Sequence, residues 1–344
     1  MAEIVEYQLP PDATETTWQA LSELVCADIT ESFGAYGSRH TPAELLTQAQ
    51  GSPARIRRWL AVSEGRVLGF ARSVTGHPDN PDGADVYAWV RPEHRSRGVG
   101  RRLAEAACGA GESGRITARL FTSAVGSGGL AGPDGGFVDA DHPGVRLALS
   151  LGLELGVVYE LGRYDLEKPM VPLEQVLRSA REPQDEGWTT HCFEGVPPKE
   201  FQSAVAEAKN QTLQDAPQGT VAYTGKGWDA ERVATHYQRL VTGHRVFFTL
   251  VMAGEEVVAL TELSSPRRRP AGMGQQLFTV VMPSYRGHRL GLWIKATNLA
   301  FLKREVPECP GVVTMNAAAN RHMRAVNETL GFTTTRAVGI FRSR

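Results

Sequence analysis

Apolar and polar positions along the first half of the chain predict a strand, two helices and then a run of strands. "EIVEYQL" is typical of a short strand, the stretch from Asp12 to about Phe33 has helical periodicity, and "TPAELLTQAQ" indicates a second helix. "RRWLAVSEG", "RVLGFARSV" and "ADVYAWV" are rich in Val, Leu and aromatic residues and are separated by turn residues, which predicts three consecutive strands. A helix after Gly100, the strand "RITARLFTSAV", the helix "GVRLALSLG" and the strand "LELGVVYELGRYDL" complete this half.

The second half repeats this order of elements. "GWTTHCFEG" predicts a strand, "PPKEFQSAVAEAKN" and "GWDAERVATHYQRLV" predict helices, and "RVFFTLVMAG", "EVVALTELSS" and "QQLFTVVM" predict strands. After Gly291 the apolar residues recur at the spacing of one helix face. The strand "GVVTMNAAA", the helix "NRHMRAVNETLG" and the strand "TTTRAVGIF" follow.

The repeat predicts two domains of the same fold. A chain of 344 residues is long enough for two domains that each bury a core. Between the halves the sequence has three prolines and many charges without a long apolar face, which is typical of a linker with one helical piece. We therefore expect an N-terminal domain over residues 1–166, a linker over 167–183 and a C-terminal domain over 184–344.

Composition narrows the class of protein. Hydrophobic residues make up 42% and charged residues 22%, which is ordinary for a folded protein, and the formal net charge is -1. The 31 arginines are balanced by 38 acidic residues, so we expect no nucleic-acid partner. We also expect no membrane partner and a cytoplasmic location, because the N-terminus has no signal-peptide pattern and no long apolar run follows. The histidines show no metal-ligand spacing, so we expect no metal.

The stretch "VRPEHRSRGVGRRL", Val90 to Leu103, predicts an anion site. The first N–H groups of a helix have no intrahelical partner and carry the positive end of its dipole. Gly98 and Gly100 would let a diphosphate approach these N–H groups, and the nearby arginines add positive charge. "VMPSYRGHRLGLWI", residues 281–294, repeats the pattern in the second half.

The two loops resemble the GNAT family of N-acetyltransferases, in a tandem form that covers essentially the whole chain. The family's pattern is Arg/Gln-x-x-Gly-x-Gly/Ala, which "RSRGVG" (95–100) matches and "RGHRLG" (286–291) matches less fully. Tandem members include mycothiol synthase and enzymes of antibiotic modification or biosynthesis. The resemblance implies an α/β (α+β) fold class, with a mixed, V-splayed central sheet flanked by helices in each domain.

The resemblance also implies acetyl-CoA or another acyl-CoA as co-substrate, with its diphosphate on the loop and its pantetheine arm between two diverging strands. In that arrangement a main-chain N–H near Val281, or near Val90, polarises the acyl carbonyl. The residues implied in binding are Val90, Arg95, Arg97, Gly98, Val99, Gly100, Arg101, Val281, Arg286, Gly287, His288, Arg289, Leu290, Gly291 and Asn320. For His288, a contact to the ligand and a catalytic role are both open.

A second family block favours the C-terminal domain as the catalytic one. Asn320 stands where the family has an Asn at a helix start, although Asn327 holds the place of the family's tyrosine and Arg289 replaces the first loop glycine. The N-terminal domain has Asp141 and Ala148 at the two block positions. Whether that domain binds CoA or is structural stays open.

Acyl transfer to an amine needs a base for the amine and a proton for the leaving thiol. Glu262 is the first candidate base, since it lies on the strand beside the loop-bearing strand; its alternative is a carboxylate on a solvated strand face or in an ion pair. Asp215, in a loop that borders the acceptor pocket in the family, is the second, and a helix cap or turn is its alternative. For the acid, Tyr285, Tyr223 and water are open.

These features predict an N-acyltransferase that moves an acetyl or short acyl group from CoA to a primary amine of a small molecule. One alternative takes its acyl group from an acyl carrier protein. "RRR" at 267–269 is typical of a solvated charge run, and its alternative is a docking patch for that protein. A second alternative is a non-catalytic acyl-CoA-binding protein. We expect a monomer or a homodimer.

Overall fold

The computed structural model describes residues 2–33, 40–52, 54–77, 80–109, 115–180, 187–215, 227–269 and 271–343. The chain forms two compact units. Unit 1 contains Met1–Val158 and Ala337–Arg344, and unit 2 contains Tyr159–Pro217 and Gly227–Arg336.

Unit 1 is a mixed sheet with helices. Its elements in chain order are β1 (Glu3–Tyr7), α1 (Thr16–Phe33), α2 (Pro42–Gln50), β2 (Arg55–Ser63), β3 (Arg66–His77), β4 (Asn80–Val90), α3 (Val99–Gly109), β5 (Arg115–Ser123), β6 (Leu130–Ala131), β7 (Phe137–Val138), α4 (Pro143–Ser150) and the first part of β8 (Glu154–Asp165). β1 to β4 form an antiparallel meander, and β5 lies parallel to β4.

Unit 2 has the same arrangement. It contains the rest of β8, then α5 (Leu173–Ala180), β9 (Thr189–Glu194), α6 (Lys199–Asp215), α7 (Ala230–Leu240), β10 (His244–Ala253), β11 (Glu256–Pro266), β12 (Gly274–Val281), α8 (Leu290–Glu305), β13 (Gly311–Ala317), α9 (Arg321–Leu330) and the start of β14 (Thr333–Arg342). The strand order is β8-β13-β12-β11-β10-β9, in which the described residues of β12 and β13 pair in parallel and the other neighbours pair antiparallel.

The helix that follows each loop packs on the sheet of its own unit. α8 buries Leu292, Leu299 and Leu302 in a core that includes Phe247 and Leu263. α3 buries Val99, Leu103 and Ala107 against strand residues of unit 1. Because these helices are held by apolar burial along one side, their N-termini stay at the ends of β4 and β12, where the loops join.

The predicted fold class is confirmed, as each unit is a mixed sheet flanked by helices. The predicted order of elements is the observed one except for the short strands β6 and β7, which the sequence did not predict, and for small shifts at the ends. The first long helix begins at Thr16 rather than Asp12, because the Glu15 carboxylate accepts the N–H groups of Thr17 and Trp18 at 3.1 and 2.7 Å and so caps it.

The bounds of the compact units differ from the predicted domain ranges, first because unit 2 begins at Tyr159 rather than after residue 166. The helix α5 lies inside the predicted linker, and its Val176 is buried in the core of unit 2. The second part of β14 belongs to unit 1, where the Ser343 N–H donates to the Ile116 carbonyl of β5 at 2.9 Å. Contacts of this kind depend on which strands become neighbours, and local sequence periodicity does not contain that information.

Candidate active site

Both loops have the same backbone conformation although their sequences differ. In each loop the second and fourth residues have positive φ: Ser96 (60°) and Gly98 (78°) in unit 1, Gly287 (90°) and Arg289 (59°) in unit 2. Arg289 therefore adopts the left-handed conformation that the signature glycine would adopt without steric cost. Its side chain points away from the loop backbone and donates to the Ser179 carbonyl of α5 at 3.0 Å.

Packing within the protein does not require a glycine at the last position of either loop. A Cβ on Gly100 would lie 3.6 Å from its nearest neighbours, Leu147 and Val90, and a Cβ on Gly291 would lie 3.7 Å from Val281. These are ordinary van der Waals distances. Since both glycines line cavities, the missing side chain keeps the first turn of the helix open to a ligand.

Each cavity lies where the parallel strand pair separates. Among the described residues, β4 pairs with β5 over Gly83–Val86, and β12 pairs with β13 over Gly274–Gln275. Beyond these points the strands diverge and their residues line a cavity of about 280 Å³ in unit 1 and about 710 Å³ in unit 2. An open edge beside a helix N-terminus is the form expected for a diphosphate with an extended arm.

At the loop ends of β4 and β12, one backbone N–H group points away from the antiparallel neighbour strand. The Met282 N–H bonds across to β11 and the Arg91 N–H bonds across to β3, each at 2.9 Å. Bonding groups alternate along an antiparallel ladder, so the preceding residues, Val281 and Val90, point their N–H groups the other way. Both residues line the cavities.

An arginine joins each loop to a helix end. The Arg286 Nε donates to the Val281 carbonyl at 3.2 Å, and its guanidinium forms a short ion pair with Asp215, the last residue of α6. In unit 1 the Arg95 Nε donates to the Val90 carbonyl at 2.9 Å. Its guanidinium bonds to Glu31 of α1, at 2.7 Å for the Nη1–Oε1 contact. The Asp215 carboxylate is thus ion-paired with Arg286, so the geometry does not favour it as the base that deprotonates the amine.

Glu262 is not part of the cavity wall. It is fully buried, and its Oε2 accepts hydrogen bonds from the Tyr237 hydroxyl at 2.6 Å and the Lys209 Nζ at 3.3 Å. The pairing of β11 directs this side chain to the side of the sheet covered by α6 and α7. The geometry therefore does not support direct proton transfer from a bound amine to Glu262, and its ion-pair alternative describes its contacts.

The other sequence-predicted residues separate into two groups. In unit 1 the cavity is lined by Val90, Arg95, Gly98, Gly100 and Arg101. In unit 2 it is lined by Val281, Arg286, Gly287, Arg289, Leu290, Gly291, Asn320, Asp215 and Tyr285. Within the described residues, Arg97, Val99 and His288 line neither cavity: Val99 is a core residue, and the His288 ring lies against Trp188. Tyr223 lies outside the described residues.

The second block is built around a helix cap. Asn320 is the N-cap of α9, where its side chain accepts the Met323 N–H at 3.1 Å. In unit 1 the N-cap of α4 is His142, which also lines the cavity, whereas the sequence comparison pointed to Asp141. Asp141 is exposed and pairs with Arg146 at 3.6 Å. Pro143 occupies the first helical position of α4, which places the N-cap at His142.

The predicted acid Tyr285 is at the rim of the unit 2 cavity. Its hydroxyl donates to the Glu256 carboxylate at 2.8 Å, and this hydrogen bond raises the pKa of Tyr285. A hydroxyl that already donates to a carboxylate is a poor proton source for another group.

Among the polar cavity residues that sequence reasoning missed, three are chemically distinctive. Asp28 in unit 1 accepts a short hydrogen bond from Tyr87, and burial raises the pKa of Asp28 to about 6. In unit 2, Gln276 and the fully buried Lys295 line the cavity and bond to each other at 3.0 Å. The signal for Lys295 was present: it is the one charged residue among the apolar positions of the first three turns of α8.

Comparison with known proteins identifies the family of the first unit. Residues 18–127 match the Acetyltransferase (GNAT) family, and this range includes the unit 1 loop. Those residues are therefore a GNAT acetyltransferase domain. Curated protein sequences yield no match to the chain.

Solved structures extend the likeness to the whole chain, which has a tandem GNAT fold. A tandem GNAT protein from the clavulanic acid biosynthesis pathway is 22% identical, with a TM-score of 0.70, 100% of this chain covered and 98% of the other. A GCN5-related N-acetyltransferase from Sphaerobacter thermophilus is 16% identical, with a TM-score of 0.66 and coverages of 99% and 95%. At these identities the likeness is one of fold.

Two further properties bear on the expected partners. None of the helices among the described residues combines the length and apolar character needed to cross a bilayer. The described ranges also contain no group of three or more His, Cys, Asp or Glu side chains arranged to hold a metal ion.

Proposed function

We propose that the chain is an N-acyltransferase that moves an acetyl or other short acyl group from acyl-CoA to a primary amine of a small molecule, with turnover in unit 2. The observation that carries the proposal is the unit 2 cavity. One cavity wall combines the loop 286–291, the open edge of β12 and the capped start of α9. It is also the larger cavity of the two, with space for an arm and an acceptor.

In this proposal the chain's backbone does most of the binding. The first N–H groups of α8 and the loop residues 287–291 hold the diphosphate, and Gly291 keeps the approach open. The Val281 N–H donates to the acyl carbonyl oxygen and stabilises the charge that develops there. The Asp215 carboxylate pairs with Arg286 and positions its guanidinium at the end of β12. The surplus proton of the amine passes to solvent.

CoA is a better donor candidate than a carrier protein docked at residues 267–269. These arginines lie in the turn between β11 and β12, at the start of β12, whereas the loop follows its end. Seven residue steps of a strand span about 23 Å. A carrier protein must dock where the phosphate end of the arm enters, and the arginines stand at the opposite end of β12.

Unit 1 is the second candidate for turnover. Its loop matches the family pattern fully, and Asp28 supplies a cavity carboxylate whose pKa, raised by burial to about 6, suits a general base near neutral pH. Both units could catalyse the same acyl transfer.

Two matched pairs of variants test where CoA binds and where transfer occurs. Gly100→Val and Gly291→Val would fill the space beside each helix start, while Gly100→Ala and Gly291→Ala are the controls that the contact distances allow. By calorimetry with CoA, we expect each valine to weaken one site at least about tenfold, which is about 1.4 kcal/mol.

Thiol release from acetyl-CoA should be followed across a library of amines for the same variants. One fold neighbour comes from a clavulanic acid pathway and another is a fungal glucosamine N-acetyltransferase region, so the library should include amino sugars and secondary-metabolite amines. We expect Gly291→Val to abolish transfer. Tight CoA binding without transfer to any amine would instead favour the acyl-CoA-binding alternative, and no CoA uptake by the wild type would overturn the proposal.

A further inference from the structure

Lys295 is a buried amine in the wall of the unit 2 cavity. It lies on α8 four residues after Gly291, and both residues line the cavity. The residue is 1% exposed. Lysines are almost never fully buried unless they are paired, so this position needs an explanation beyond packing.

The internal repeat shows that the fold does not need a lysine at this place. The two loops align Gly291 with Gly100, so Lys295 corresponds to Ala104 of α3. Ala104 is also buried, at 5% exposure. The same position therefore packs as a small apolar residue in unit 1, at less cost than an ammonium without a counter-charge. The lysine belongs to a property of unit 2 alone.

The hydrogen bond that Lys295 makes among the described residues goes to a neutral group. Its Nζ donates to the Gln276 Oε1 at 3.0 Å. The Gln276 amide cannot rotate freely, because its Nε2 donates to the Glu262 and Phe278 carbonyls at 2.7 and 2.9 Å. The glutamine therefore holds the amine in place without neutralising its charge.

Burial without a counter-charge destabilises the ammonium form of this amine. Burial lowers the pKa of Lys295 to about 7, and no charged neighbour contributes to the shift. The Phe332 ring, whose centroid is 5.3 Å from Nζ, gives weak cation–π support. An ammonium group has three N–H donors, so two remain beyond the bond to Gln276. An anion bound here would supply both the missing charge and the missing acceptors.

A second unused donor lines the same end of the cavity. The described pairing of β12 with β13 ends one residue before Gln276 and one residue before Thr314, so these two residues are next in register. Both line the cavity together with Lys295. Thr314 is 4% exposed, and its hydroxyl oxygen accepts the Asn316 amide N–H at 3.2 Å. The hydroxyl proton itself has no acceptor among the described residues.

These donors fit one carboxylate. A carboxylate has two oxygens that accept several hydrogen bonds, and its single negative charge balances one ammonium. A phosphate would bring surplus charge into a buried place that holds one cation. Among the described residues, the acidic side chain that lines this cavity is Asp215, which is already paired with Arg286. The cavity therefore leaves the Lys295 charge for a ligand to neutralise.

The distance from the loop decides which substrate carries the carboxylate. In the proposed function the Val281 N–H, at the loop end of β12, holds the acyl carbonyl. Gln276 lies five residues earlier in the same strand, a span of about 16 Å. A short acyl group held at Val281 does not reach that far. The acceptor, which shares the cavity, is the substrate that extends along β12 to Lys295.

We propose that Lys295 and Thr314 form a carboxylate-binding subsite, so that the acceptor of unit 2 is an amine that also carries a carboxylate. This proposal rests on the proposed function and names the substrate class for it. Lys295 supplies the charge and two N–H donors, Thr314 supplies its hydroxyl proton, and Gln276 positions the ammonium. Lys295 lies remote from the thioester and takes no part in breaking its C–S bond.

Calorimetry with unreactive ligands tests the subsite without any turnover. The probes are N-acetyl ω-amino acids of increasing chain length, each compared with its primary amide, which has the same shape but no charge. For the best chain length we expect the wild type to bind the acid at least about tenfold more tightly than the amide, which is about 1.4 kcal/mol. Lys295→Met should reduce this preference to less than about twofold, and Thr314→Val should reduce it in part.

Lys303→Met, on the exposed side of the same helix, is the matched control and should keep the full preference. The ratio of the two affinities is measured on one sample, so it does not depend on how much of a variant is folded. Equal binding of acid and amide by the wild type at every chain length would overturn the proposal. An undiminished preference in Lys295→Met would overturn it as well.

Transfer from acetyl-CoA to the free ω-amino acids and their amides shows which substrate uses the subsite. We expect the ratio of kcat/KM between acid and amide to follow the binding preference and to collapse in Lys295→Met. Succinyl-CoA, with an amine that has no carboxylate, tests the other source of the same group. If Lys295→Met selectively lost transfer from succinyl-CoA and kept the acceptor ratio, the carboxylate would belong to the acyl group and our assignment would be wrong.

These measurements separate failure of the subsite from failure of the proposed function. If the wild type transfers an acetyl group to no amine, the proposed function falls, and calorimetry still decides whether Lys295 holds a carboxylate. If transfer occurs with a carboxylate preference that survives Lys295→Met, the proposed function stands and the subsite is wrong.

Discussion

At the scale of single residues, the buried amine of Lys295 opposes folding at and below neutral pH. Its pKa is about 7 in the folded chain against an ordinary value of 10.5, because burial disfavours the charged form. Between these values the unfolded chain binds more protons than the folded one, so stability rises with pH across that window, by up to about 1.4 kcal/mol per pH unit. Below pH 7 the full cost is present.

Lys295→Met should therefore stabilise unit 2 most at low pH. We expect the variant to have a higher free energy of unfolding than the wild type at pH 6 to 7, and the difference to shrink as pH rises towards 10. Urea unfolding at several pH values measures this. Lys303→Met on the exposed side of the same helix is the control, and a pH-independent difference for Lys295→Met would contradict the argument.

At the scale of elements, the start of α9 combines a structural and a ligand-facing role in Asn320. The side chain caps the helix through the Met323 N–H and also lines the cavity. The cap and the amide donor can be separated by substitution, because serine is a good N-cap but has no amide.

Asn320→Ala should lower stability by about 1 kcal/mol through loss of the cap, while Asn320→Ser should leave stability almost unchanged. If the amide contacts the donor, both variants should weaken CoA binding by a similar factor. Thermal unfolding and calorimetry on the same samples measure the two effects. A serine variant that binds CoA like the wild type would show that the amide makes no contact.

At the scale of the whole molecule, the last eight residues of the chain complete unit 1. Val338, Ile340 and Phe341 are buried, and Ser343 exchanges hydrogen bonds with Ile116 of β5. Burial of such side chains contributes about 1.5 to 3 kcal/mol each. The fragment 1–166, which the sequence predicts as a domain, lacks this strand.

Removal of residues 337–344 should therefore destabilise unit 1 while unit 2 keeps its fold. Hydrogen exchange measured by mass spectrometry should show lost protection in β5 and little change in β10 or β11. Removal of Ser343 and Arg344 alone is the milder control. Greater loss in β10 than in β5 would contradict the assignment of this strand to unit 1.

Much of the site was predictable because its chemistry depends on local backbone. The pattern of glycines and arginines after a strand predicted where the loops lie, and the residues from Arg286 to Gly291 line the cavity with the exception of His288. Arg289 shows where prediction from the glycine pattern fails. Its sequence breaks the glycine pattern, yet its backbone adopts the same left-handed conformation as Gly98.

The amino-acid sequence by itself determined the order of strands and helices, the fold class and the two loops, because periodicity, turn residues and helix starts act between near neighbours. Tertiary structure alone decided which side chains share a cavity. It buried Glu262 beside Tyr237, paired Asp215 with Arg286, brought Gln276 to Lys295 and assigned the second part of the last strand to unit 1. These contacts join residues far apart in the chain, so their geometry follows from sheet pairing and core packing rather than from local pattern.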